Sequence, residues 1–110
     1  MSIDPDVARI AKRFGADPLL VQAVVNAEGG GDRILTAVQC SIPSVTTREE
    51  AIEVTARSAN HALRDFVVQS GLREAFVAFW AAKWAPRGVA NDPHDLNANW
   101  PRNVLSYWRA

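Results

Sequence analysis

Glu28 is the residue whose surroundings in the sequence point most directly to chemistry. On a helical wheel at about 100° per residue, Val21, Val24 and Val25 flank it, while Gln22 and Asn26 fall on the opposite side. Its carboxylate therefore leaves the helix on the apolar face, in the last turn before Gly29-Gly30-Gly31. Desolvation raises a carboxyl pKa, and the negative end of the helix macrodipole opposes a second negative charge there. Both effects favour an acid that keeps its proton near neutral pH, which is what a general acid needs. The alternative is a Glu that reaches past the helix end and pairs with Arg33. In the first case the glycine triplet leaves open space beside the acid; in the second it is an ordinary helix stop.

Aromatic and amide side chains could supply a binding surface for such an acid. Phe76, Trp80 and Trp84 recur at i, i+4 and i+8 on one ridge, which predicts Phe76 and Trp80 in the core. Trp84, before Pro86, and Trp100, before Pro101, border a polar loop. The residue before a proline is biased to extended backbone, so Trp100 is expected to stay out of the last helix. Trp84 and Trp100 are then expected to wall a groove with Glu28 at its floor, their ring faces suited to the C–H faces of sugars. Asn91, Asp92, Asn97 and Asn99 offer groups that hydrogen-bond hydroxyls and N-acetyl groups. Their ordinary work is turn-making, and Asn99 also stands where it can cap the last helix. Asp92 and Asp95 are the candidates for a second carboxylate.

Other chemistries find little support. His61 and His94 are far apart and no cysteine pair accompanies them, so neither a metal nor a cofactor is expected. Cys40 is the single cysteine, which excludes an internal disulfide framework, and it is expected to be a small buried residue. The glycine triplet follows a helix rather than a strand, so it is no phosphate loop.

The elements that must position these residues read as helices throughout. Asp4-Pro5 and Asp17-Pro18 are helix starts, with Asp as N-cap and Pro at the first helical position. The first helix carries Val7, Ile10, Ala11 and Phe14 to Gly15, and the second runs to Glu28. Asp32 is expected to cap a short third helix through Ile34, Leu35 and Val38. Residues 41–47 form a loop with room for a vestigial strand at most. Thr46 and Thr47 each have a Glu three residues on, two overlapping capping boxes. The fourth and longest helix then shows the stripe Ile52, Ala56, Ala59, Leu63 and Phe66, closed by Gly71. A fifth runs from about Leu72 to Trp84 with Phe76, Phe79 and Trp80 inward. Residues 85–100 form a turn-rich loop, and Pro101 opens a last helix with Val104, Leu105 and Trp108. No period-2 alternation survives anywhere. The expected fold is all-α, a compact single domain over residues 1–110 with about six helices.

Composition narrows the partners. The 110 residues hold 12 Lys+Arg and 12 Asp+Glu, and binding nucleic acid by phosphate neutralisation needs a basic excess that this chain lacks. No apolar run approaches the length of a membrane span, and residues 1–6 show neither a basic nor an apolar leader region. Synthesis in the cytoplasm without a signal peptide is expected, with no membrane partner and a monomeric state.

The segment from Asp17 through Leu20, Val24 and Val25 to Glu28-Gly29-Gly30 resembles the helix that ends in the catalytic Glu of lysozyme-like transglycosylases and goose-type lysozymes. Lys83-Trp84-Ala85-Pro86, Asn91-Asp92-Pro93 and Leu96-Asn97-Ala98-Asn99-Trp100 resemble the close of small phage-related muramidase domains. This likeness covers most of the chain. It implies a lysozyme-like fold and cleavage of the β-1,4 bond between N-acetylmuramic acid and N-acetylglucosamine in peptidoglycan, with Glu28 as general acid. It also implies action on the bacterial cell wall, reached by phage- or prophage-type delivery. Two departures stand out. Gly29 occupies the position where the family often has Ser, and no second carboxylate is obvious. Cys40 and Thr46 keep the separation of a Cys–Thr pair in some phage lysozymes, but further from the Glu. The rival expectations are a non-catalytic glycan-binding or virion structural module on the same fold, and a helical interaction or DNA-binding module, which the charge balance disfavours.

Overall fold

Two aspartate–proline pairs set the start of the chain, as their sequence predicts. In the computed structural model, which describes residues 2–67 and 73–108, Asp4 Oδ1 accepts from the Asp6 amide at 2.8 Å and Pro5 opens α1, Pro5–Phe14. Asp17 Oδ1 accepts from the Leu19 amide at 2.9 Å and Pro18 opens α2, Pro18–Ala27. α1 ends at Gly15, whose φ of 69° suits a residue without a Cβ.

The remaining elements are α3, Ile34–Gln39; α4, Arg48–Val67; α5, Arg73–Trp84; a 3₁₀ turn, Leu96–Asn99; and α6, Trp100–Tyr107. No strand forms among the described residues. All-α architecture, with six α-helices among the described residues, is thus the observed fold, with a Cα radius of gyration of 13.0 Å. That is close to the ~13 Å expected of a compact chain of about 100 residues.

α2 is the central element, packed against α1, α4 and α6. Six consecutive residues from Leu20 to Val25 are buried, more than one full turn, so no face of the helix is left to solvent. Gln22, on the side opposite Glu28, is therefore buried too, at only 6% exposed. Its burial is stable because both ends of the amide are used: Oε1 accepts from the Asp4 amide at 2.8 Å and Nε2 donates to Asn26 Oδ1 at 3.0 Å.

Capping follows the sequence in part. The Thr47 box forms: the Glu50 amide donates to Thr47 Oγ1 at 3.1 Å and the Thr47 hydroxyl donates to Glu50 Oε1 at 3.0 Å. The Thr46 hydroxyl joins the same carboxylate at 3.1 Å instead of using Glu49. α3 starts without a side-chain cap, and Asp32 is exposed rather than capping. On α4 the buried face turns toward Thr55 and Ala62, while Leu63 is 37% exposed. The Phe66 side chain, Gly71 and Leu72 lie outside the described residues.

α5 sends Phe76 and Trp80 into the core, as their spacing predicts, with Phe79 packed at its edge. The indole of Trp80 donates to Ser58 Oγ on α4 at 2.8 Å, which satisfies the polar atom of a fully buried ring.

Candidate functional site

Glu28 stands immediately after α2, and the turn that follows holds it there. The Gly30 amide donates to Val25 O at 2.9 Å and the Gly29 amide to Asn26 O at 3.1 Å, the paired bonds of a Schellman close. Gly29 and Gly30 have φ of 104° and 99°, backbone that L side chains rarely adopt. Gly29 and Gly30 thus serve the turn, while Gly31 makes room for Arg48, and none of the three lines the cleft beside Glu28. A Cβ on Gly29 would also stand 2.7 Å from Arg33 Cδ. Arg33 packs against Gly29 in this way and makes no ion pair with Glu28.

The half-buried carboxyl meets two indoles. Trp100 Nε1 donates to Glu28 Oε1 at 3.0 Å and Trp84 Nε1 donates to the same atom at 3.4 Å. Burial raises the Glu28 pKa above its usual value, and the two indole hydrogen bonds oppose that rise without cancelling it. The sequence expectation of a protonation-prone acid has this physical cause: desolvation that neutral donors only partly oppose.

A cleft of about 580 Å³ opens over Glu28. One wall comes from α3, the loop after it and α4, with Cys40, Ser41, Ile42, Val54 and Ser58. The other comes from the end of α5 and the loop beyond, with Lys83, Trp84, Pro86, Asn91, Asp92 and Asn97. The volume and the mixture of apolar walls with a few polar groups suit an organic ligand.

The predicted residues divide into three groups. Glu28, Trp84, Asn91, Asp92 and Asn97 come together on the cleft. Trp100 does not wall it: the ring is 5% exposed and lies behind Glu28. The bias before proline is overridden, since Trp100 has helical φ and ψ of −59° and −48° and Pro101 takes a first-turn position where its missing N–H costs nothing. Asn99 is the residue before α6 but makes no capping bond; its Oδ1 accepts from Arg102 at 3.1 Å.

Both candidate aspartates are engaged in hydrogen bonds of the loop. Asp92 Oδ1 and Oδ2 accept from the amides of Leu96 and Asn97, both at 2.9 Å, which builds the 3₁₀ turn. Asp95 is away from the cleft and is held below its usual carboxyl pKa by its hydrogen bond to Arg87. Asn97 both lines the cleft and braces it, with Nδ2 donating to Pro86 O at 2.8 Å. Cys40 is exposed on the cleft instead of buried, because α3 ends there and its Sγ meets only Thr36 O at 3.4 Å. Thr46 is bonded to Glu50 and is absent from the cleft wall.

Sequence reasoning missed Ser41, Val54, Ser58 and Lys83. Their meeting across the cleft depends on how α3 and α4 face α5, for which the sequence carries no local signal. Among the described residues, no cluster of His, Cys, Asp or Glu could hold a metal ion, and no helix is long and apolar enough to cross a membrane. Comparison of the chain with protein-family models, curated proteins and solved structures gives no match.

Proposed function

We propose that this protein is a peptidoglycan-cleaving glycosidase of the lysozyme-like kind, a lysozyme or lytic transglycosylase, with Glu28 as the general acid. One observation carries this reading: a half-buried carboxyl, with two neutral indole donors and its pKa raised by burial, opens onto a cleft large enough for sugar rings. The glycan strand would lie between the two walls, with a pyranose against Trp84 and its hydroxyl and N-acetyl groups facing Asn91 and the loop. Glu28 would give its proton to the glycosidic oxygen as the bond to the anomeric carbon breaks.

The fate of the resulting cation follows from the cleft's other carboxylate. Asp92 spends both oxygens on backbone amides. Capture by the muramoyl 6-hydroxyl, which needs no protein nucleophile, is therefore favoured over a route through a second carboxylate. The proton released from that hydroxyl returns to Glu28. The same scarcity of carboxylates favours a second reading, a glycan-binding module without turnover.

Clearing of purified cell walls, followed by turbidity, separates these. Wild type should clear, and Glu28→Gln should reduce the rate by about 10²- to 10⁴-fold, the usual worth of a general acid. Activity should fall on the alkaline side with a midpoint above the ~4.3 of a free Glu. Wild type that binds walls without clearing them establishes the binding module instead.

A further inference from the structure

Trp84 and Trp100 converge on one oxygen of Glu28, and neither indole bonds the other oxygen, Oε2. Both indole N–H groups donate to Oε1, at 3.4 and 3.0 Å. An indole nitrogen donates and cannot accept. If neutral Glu28 carried its proton on Oε1, two N–H donors would face a hydroxyl oxygen, a poorer acceptor than a carbonyl oxygen. With the proton on Oε2, Oε1 is the carbonyl oxygen and accepts both bonds.

We infer that Trp84 and Trp100 are positioning residues that confine the Glu28 proton to Oε2. This rests on the general-acid role of Glu28 for its catalytic meaning, but the clamp itself is a property of the folded chain. The ring array has little freedom to relax. Trp80 packs edge-on against Trp100, with centroids 5.5 Å apart at 88°, and against Trp84, at 5.7 Å and 63°. Trp80 is in turn fixed to Ser58 on α4. Lys83 on α5 and Asp92 on the loop are the other charged groups of the cleft, and Asp92 is bonded to the amides of Leu96 and Asn97.

The two clamp members also differ. Trp84 lines the cleft, whereas Trp100 is sealed behind the acid. Trp100→Phe thus removes a donor while leaving the sugar-facing surface alone, and Trp84→Phe disturbs both.

The test is an NMR titration of the whole chain. In wild type the indole N–H signals of Trp84 and Trp100 should shift together, with the midpoint of the Glu28 carboxyl carbon, and the shift should vanish in Glu28→Gln. In Trp100→Phe the Glu28 midpoint should rise, because a donor to the ionised form is gone. On soluble glycan strands the same variant should lose roughly 10- to 100-fold in kcat, as for a misplaced catalytic group, with KM within about twofold of wild type. Indole signals that ignore the Glu28 titration overturn the clamp, as does a Trp100→Phe midpoint that stays or falls. If Trp100→Phe does not fold, the wild-type and Glu28→Gln titrations decide alone. A titrating clamp in a protein that cleaves no glycan sustains the clamp and defeats the glycosidase reading.

Discussion

Two carboxylate sites in this molecule, both partly shielded from water, are handled in opposite ways. Near the start of α1, Asp4 and Asp6 share the Arg48 guanidinium, whose Nη1 lies 2.8 Å from Asp6 Oδ2 and whose Nε donates to Gly31 O at 3.0 Å. The Asp6 carboxyl is held below its usual pKa, first by its hydrogen bond to Arg9 and then by that to Arg48. At the end of α2, Glu28 receives two neutral N–H groups and its pKa moves the other way. Geometry alone does not separate the sites, since each carboxylate has convergent donors. Burial and the charge of the donors do: Glu28 is raised by desolvation that its neutral donors only partly oppose, whereas the more exposed Asp6 is lowered by guanidinium partners. The carboxylate paired with a cation is held in its charged form, and the buried carboxyl given only neutral dipoles is shifted toward its neutral form.

Exchanging the donors tests that contrast most severely. Trp84→Arg would set a guanidinium where a neutral donor stands. The Glu28 midpoint should fall, and clearing should drop by about 10²- to 10⁴-fold because the proton is lost. Unchanged clearing by a folded variant would break the comparison at its functional end.

Removing the cation from the other site probes stability instead. Arg48→Met should lower Tm by roughly 4–8 °C at neutral pH. A carboxyl whose folded pKa is depressed stabilises the fold above its unfolded value, ~3.9 for Asp, and that contribution is lost as pH falls through the lower folded value. The Tm difference between wild type and Arg48→Met should therefore shrink on acidification, a trend that thermal melts at pH 7 and pH 3 would show.

Glu28 carries the opposite sign. Its folded pKa is raised, so the folded state is unpenalised below the unfolded value of ~4.3 and loses stability as pH rises through the folded pKa. Glu28→Gln should melt a few degrees above wild type at pH 8, on the order of 4 °C per kcal/mol regained. That gain should disappear by about pH 4. A variant less stable than wild type at pH 8 would mean that the ionised carboxylate belongs to the fold.

The smallest effect is expected at Asp95, an exposed partner of Arg87. Asp95→Asn should change Tm by no more than about 1 °C, since exposed ion pairs contribute little. Its clearing rate should match wild type, which would separate Asp95 from any catalytic role.

What could be seen in the sequence is what local chemistry encodes. The two Asp-Pro starts, the Thr47–Glu50 box and the inward set of Phe76 and Trp80 depend on residues a turn or two apart, and all formed. Glu28 was visible because an acid on an apolar face is a local anomaly. Trp100 was placed on the wrong side of the acid because the bias before proline is weaker than the burial of an indole against Trp80 and Glu28. The burial of Gln22 was not legible because a wheel separates two faces, and a central helix has none to spare. The α3–α4 wall was illegible because long-range packing puts Ser58 and Ile42 opposite Trp84.

Cys40 gives the molecule a built-in attachment point. It is the one thiol in the sequence, it is exposed, and it stands on the cleft wall across from Trp84. A thiol-directed dye would therefore label a single, known place, within energy-transfer range of the indoles that hold Glu28. The same bond, made with a bulky reagent, would plug the cleft while leaving the acid and its two donors chemically untouched. Occupancy of the cleft and protonation of the acid thereby become separate experimental variables in the unmutated chain.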